Sequence, residues 1–219
     1  MNVDALSKVA ALTTVEISQN AALSEEALAL PTDGNVVGAF LGLLLEQGLD
    51  PDALRFIAHA LPKREAVWWA CQCVRAVASD LAPAVASALD ATERWVAEPN
   101  EENRREAGLA AEAAGVGEPA GCAAMAAFWS GGSLGPANLP DVPPGDDLTG
   151  RGVAGAVLLA AVSVEPERAP EKFRQFVKLG LDVAEGNLRW NDPSTPAPDV
   201  SNRTTQRTSA TTRVFDTWE

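Results

Sequence analysis

Between residues 61 and 78 the chain reads LPKREAVWWACQCVRAVA, and its polar positions fall on one narrow strip. Stepped at about 100° per residue, Arg64, Glu65, Gln72, Arg75 and Ser79 share an arc, while Trp69, Ala70, Cys71, Cys73, Val74 and Val77 cover nearly all the rest. Pro62 suits the first helical position, where its missing N–H is no loss, and no breaker follows before Pro83. A helix with so thin a wet stripe is predicted to sit among other helices. Trp68 is the misfit, because it lies inside the polar arc, one turn after Arg64 and one before Gln72. Either its indole is covered by the protein's own chain with Arg64 or Arg75 stacked on it, or it is a contact for a partner. Trp68, Arg64 and Arg75 are therefore candidate partner-binding residues.

The same reading applied along the chain predicts helices on both sides. Residues 1–22 read as a loosely packed lead-in with room for a short strand or turn at 14–17. Ser24 caps a short helix that Pro31 ends. Residues 35–47 are apolar all round, with Gly38 and Gly42 spaced for close approach of a neighbouring helix. Asp50 is expected to cap the next helix, with Pro51 at its first position and Leu54, Ile57, Ala58 and Leu61 on its stripe.

Asp80 is expected to cap a helix whose inner face is Leu81, Val85, Ala88, Leu89, Thr92, Trp95 and Val96. Asn100 starts its hairpin partner, which Gly115 ends. Residues 118–129 form an alanine-rich helix closed by Ser130-Gly131-Gly132-Ser133, and 134–151 read as a long surface loop. Two further helices follow at 153–164 and 170–185, the latter with Phe173, Phe176, Val177, Gly180 and Ala184 inward. Alanine dominates, Tyr is absent and β-branched runs are few. The fold class is all-α: a single-domain antiparallel bundle of seven or eight helices over 23–187, or, as an alternative, a short stack of helical hairpins.

Composition narrows function mostly by exclusion. The net charge of −13 comes with no basic run, which argues against nucleic-acid binding. The beginning of the chain has no signal-peptide pattern, and no apolar stretch approaches the roughly 20 residues of a membrane span, so a cytoplasmic protein without membrane insertion is expected. Cys71 and Cys73 point to nearly opposite sides of their helix and Cys122 stands alone, so reduced, buried thiols are expected. His59 is the one histidine, and without a partner cluster it supports a structural role over a metal site. No GxSxG elbow, phosphate loop or dinucleotide fingerprint occurs, so no cofactor is expected. The glycine loop at 130–133 reads as a helix end or, alternatively, as an anion cradle with a serine nucleophile. Asp141, Asp146 and Asp147 lack the spacing of a calcium loop.

From Trp190 the chain turns polar, and 191–212 read as disordered, within a tail spanning 188–219. It closes on Val214, Phe215 and Trp218. Phe215 and Trp218 are candidate partner-binding residues of a linear recognition segment, with folding back onto the domain and a merely solubilising end together as the equal alternative. Thr204, Thr205, Thr208, Thr211 and Thr212 lie near arginines and are candidate phosphorylation positions.

The segments LPKREAVWWAC (61–71), FWSGGSL (128–134) and Val142-Pro143-Pro144 resemble those of an uncharacterised bacterial helical family associated with type VI secretion gene clusters. The resemblance spans about residues 23–186. It implies an accessory or adaptor role in loading cargo and brings no catalytic residues with it. The expected function is thus a non-enzymatic protein-binding adaptor whose partner is another protein, a secretion component or effector. The alternative is a hydrolase-like enzyme with its site in the 130–147 loop.

Overall fold

Helix starts along this chain are written by proline and by short polar caps, and they set the segment lengths. The computed structural model describes residues 8–9, 13–32, 36–78, 81–136 and 138–191. Over these residues the fold is all-α: α1 (Thr14–Asn20), α2 (Glu25–Leu28), α3 (Val37–Glu46), α4 (Asp50–Ala60), α5 (Lys63–Val77), α6 (Pro83–Ala97), α7 (Glu101–Ala114), α8 (Pro119–Phe128), α9 (Leu148–Ser163) and α10 (Ala169–Ala184), with a short 3-10 turn at Pro166–Arg168.

The predicted central helix is central. α5 packs against α4, α6, α8, α9 and α10. Even its polar arc is half-covered, and Trp69 is fully buried, its indole N–H donating to the Phe176 carbonyl of α10 at 3.1 Å. That bond removes the one polar liability of burying an indole. α10 comes this close because residue 180 is glycine: a Cβ there would stand 2.9 Å from Ile57 Cγ2 and 3.1 Å from Trp69 Cε2. α6 and α7 form the predicted hairpin, α8 and α9 pack side by side, and α4 lies across α9 and α10.

Several boundaries differ from the sequence reading for identifiable reasons. Residues 14–17 are helical, because Thr13 and Glu16 form a capping box, Thr13 Oγ1 accepting from the Glu16 N–H at 3.2 Å and Glu16 accepting from the Thr13 N–H at 2.8 Å. This helix seats Ile17, fully buried, in the common core, and the short Ser24-capped helix is present as expected; the helices number ten among the described residues, above the seven or eight expected. Pro62 is the residue before the first turn of α5, and Asp50 is itself the first residue of α4. Gly42 faces open space, with nothing within 4 Å of where a Cβ would be, so it admits no neighbouring helix.

α9 begins five residues before the expected position, inside the segment read as loop. The glycines that suggested a loop serve packing there: a Cβ at Gly150 would fall 2.4 Å from His59 Nδ1, and one at Gly152 would fall 2.9 Å from the Ala126 Cβ. The expected cap Asp80, and residues 192–219, lie outside the described residues.

Candidate functional site

At the C-terminal end of α5 the chain turns into α6 through extended backbone at Ala78 and Ala82. A groove of about 340 Å³ lies between the end of α5, the start of α6, the start of α8 and the end of α9. Its floor is the buried pair Val74 and Val77. Its walls are the half-buried Leu81, Val85, Pro119 and Val164, and among the described residues Glu118 is the one ionisable side chain in the lining. The wall at Val164 is fixed from behind by Lys172, a buried side chain that donates to the carbonyls of Ala161 at 3.2 Å, Val164, and Glu165 at 3.2 Å. These carbonyls belong to the end of α9 and the residues that follow it, where a cation suits the helix dipole. Pro119 opens α8 and Pro83 opens α6, so two of the groove's edges are rigid helix starts. Exposed Val116 and Val162 flank the lining residues Glu118 and Ser163 in sequence. Sequence periodicity assigned Leu81 and Val85 to a core face and gave no sign of a groove, because its lining comes from four segments far apart in the chain.

The residues singled out from sequence sit elsewhere. Trp68 is 6 % exposed and belongs to the core, so it presents no free surface. The expected cation stack exists with a different indole: Arg64 Cζ lies 3.7 Å from the ring centre of Trp190. Arg64 also donates from Nε to the Val96 carbonyl at 2.5 Å and from Nη2 to the Ala97 carbonyl at 2.7 Å, which caps the end of α6. Trp190 is therefore held beside the first turn of α5. Arg75 bridges α5 to α6 through Glu93, at 2.6 and 2.7 Å, and Asp90 at 2.9 Å. The bonds from Glu93 raise its already high pKa. Phe215 and Trp218 lie outside the described residues.

The 130–147 loop is a stapled structure. Arg104, 4 % exposed at its side chain, donates to the Phe128 carbonyl at 2.5 Å and the Ser133 carbonyl at 2.9 Å, and binds the Glu101 carboxylate at 2.6 and 2.8 Å. Hydrogen bonds from Arg104, then from Arg105, hold the Glu101 carboxyl down at about 2. Gly132, at φ +63°, lies against this pair: a Cβ would stand 2.8 Å from both Arg104 Nη2 and Glu101 Oε2. The space considered for an external anion thus holds the protein's own carboxylate.

Ser133 Oγ accepts from the N–H groups of Gly135 and Val142, both at 3.1 Å, and Lys63 Nζ donates to the Ser130 carbonyl at 3.1 Å. The segments 61–71, 128–134 and 142–144 therefore meet here, through Lys63, Ser130, Ser133 and Val142. His59 is buried beside Gly150. Burial lowers its pKa to about 4, against the pull of the Asp147 carboxylate and with the help of Arg151. Cys71 and Cys73 are free, fully buried thiols, and burial raises the pKa of both. Cys122 is free and half-buried. Among the described residues no group of three or more His, Cys, Asp or Glu side chains could hold a metal ion, and no single helix is long and apolar enough to cross a membrane.

No curated protein and no solved structure matches the chain. A family model does match, over residues 40–184, a span that runs from within α3 to the last residue of α10 and so takes in α5, the groove and the stapled loop. The chain belongs to that family, a family of unknown function (DUF6931).

Proposed function

We propose that this chain is a non-enzymatic protein-binding module that receives an apolar segment of another protein in the groove at the α5–α6–α8–α9 junction. The observation that carries the reading is the groove itself: an open apolar concavity with rigid proline-started edges and, among the described residues, a single ionisable side chain. Such a surface gives binding energy through burial of aromatic or aliphatic anchors and offers few groups to polarise a substrate. The resemblance to helical proteins of type VI secretion gene clusters supports a more specific role, an accessory that holds cargo or an effector for that machinery in the cytoplasm.

The test is capture from native extract by the full chain, compared with a Leu81→Asp/Val85→Asp double variant. Leu81 precedes α6 and Val85 lies in its first turn, where a carboxylate suits the helix dipole; both side chains also pack against the core, so a circular-dichroism melt of the variant accompanies the capture and must show it folded while the groove is charged. Loss of a specific partner in the variant is the expected result. Equal capture by both proteins, or hydrolytic turnover abolished by Ser130→Ala, would overturn the reading.

A further inference from the structure

The chain carries its own candidate for the groove. After Asn191 the sequence runs on to Glu219, polar until it closes on Val214, Phe215 and Trp218. Trp190 is fixed by Arg64 at the N-terminal end of α5, while the groove lies at the C-terminal end of the same helix, lined by Val74 and Val77. A helix of 15 residues is about 22 Å long. The roughly 24 residues between Asn191 and Phe215 reach up to about 80 Å, so the terminal aromatics arrive at the groove with slack to spare. Arg203, Arg207 and Arg213 are the only charged residues from Val200 to Phe215, and Arg213 precedes Val214-Phe215 directly, while Asp216 and Glu219 stand on the far side of Phe215 and Trp218. Glu118 stands at the groove as the one ionisable side chain among the described residues of its lining. Two aromatic anchors three residues apart, preceded by a cation, match an apolar pocket with a carboxylate in its lining.

We infer that the C-terminal segment, residues 213–219, docks in the groove of its own domain, with Phe215 and Trp218 against Val74, Val77, Leu81 and Val85 and Arg213 toward Glu118. This rests on the reading of the groove as a protein-binding site and names its resident ligand, one that an incoming partner must displace. A tether makes the docking intramolecular, so an affinity too weak to matter between separate molecules suffices within one chain. The tail is then a brake on partner capture.

The experiment compares methyl resonances of the full chain, labelled at Val and Leu, between wild type and a Phe215→Ser/Trp218→Ser double variant. The groove methyls of Val74, Val77, Leu81 and Val85 are expected to shift, while those of the exposed Leu109 and Leu139 stay in place. A peptide of residues 203–219 added in trans should restore the wild-type positions in the double variant and bind wild type at least about 10-fold more weakly. The double variant should also capture more partner than wild type. Unchanged groove methyls overturn the inference. So do shifts that grow with protein concentration alongside a dimer in sedimentation, which assign the tail to a second copy, and weaker partner capture, which assigns the aromatics to the partner directly. The two readings fail separately. Silent groove methyls with capture still lost in Leu81→Asp/Val85→Asp leave the groove as a partner site without its tail, whereas responsive methyls with capture unaffected leave the tail docked on a surface no partner uses.

Discussion

His59 gives the fold a pH dependence whose sign and size can be worked out. The imidazole is 8 % exposed, packed where Gly150 brings α9 against α4, and burial lowers its pKa from 6.5 to about 4. The unfolded chain therefore takes up a proton near pH 6.5 that the folded chain refuses until about pH 4. Unfolding is favoured by protons across that window, so stability is full above about pH 6.5 and falls as the pH drops toward 4. At 1.36 kcal/mol per unit, the lost stability amounts to about 3 kcal/mol. Asp147 opposes this shift and Arg151 adds to it, so neither neighbour is a neutral site for a control substitution.

The cleaner control is His59→Gln, which keeps a planar polar side chain and cannot titrate. Urea unfolding at pH 7.5, 6.5, 5.5 and 4.5 is the assay, read as the difference between the two proteins. Carboxylates such as Glu101 lose their contribution at lower pH in both and cancel. The variant should be the less stable at pH 7.5, through altered packing, and the gap should close by about 2–3 kcal/mol on going to pH 4.5. Parallel curves would mean that His59 is protonated in the folded protein and that its burial has been misread.

Three further substitutions test the packing. Arg104→Met leaves the Phe128 carbonyl without its donor and the Ser133 carbonyl with the longer bond from Arg105 at 3.4 Å, and should lower stability by about 1.5–3 kcal/mol in denaturant unfolding, the scale for a hydrogen bond to a charged group. Gly150→Ala should destabilise by about 1–3 kcal/mol, because a Cβ 2.4 Å from His59 Nδ1 forces α9 off α4, and the gain in helix propensity of up to about 1 kcal/mol does not offset it. Gly42→Ala should raise the melting temperature, adding about 0.5–1 kcal/mol, since the position is helical and opens onto empty space.

The central helix, the α6–α7 hairpin and the inner face of α10 were legible because each carries a long apolar period with a cap or proline at its start. What escaped was short or depended on contact between distant segments. α1 was missed although its signal was present: Thr13-Thr14-Val15-Glu16 is a capping box that its modest apolar content obscured. Gly150 and Gly152 read as loop residues, since a glycine that admits a neighbouring helix looks, in sequence, like one that breaks its own. Arg104 passed as one of several scattered cations. Only the fold shows it buried beneath the 130–133 turn, because the carbonyls it satisfies are 24 and 29 residues away. Trp68 was correctly seen as anomalous on its helix, but the indole that Arg64 stacks upon, Trp190, lies far beyond the window of any periodicity argument. The groove had no sequence signature.

The most direct test of the groove as the binding site is hydrogen exchange of the full chain with and without its captured partner. Added protection is expected over residues 74–86 and 118–120, where α5 ends, α6 begins and α8 starts, with the 134–147 loop and the exposed face of α7 unchanged. Protection confined to that loop or to α7, with residues 74–86 exchanging as in the free chain, would contradict the account.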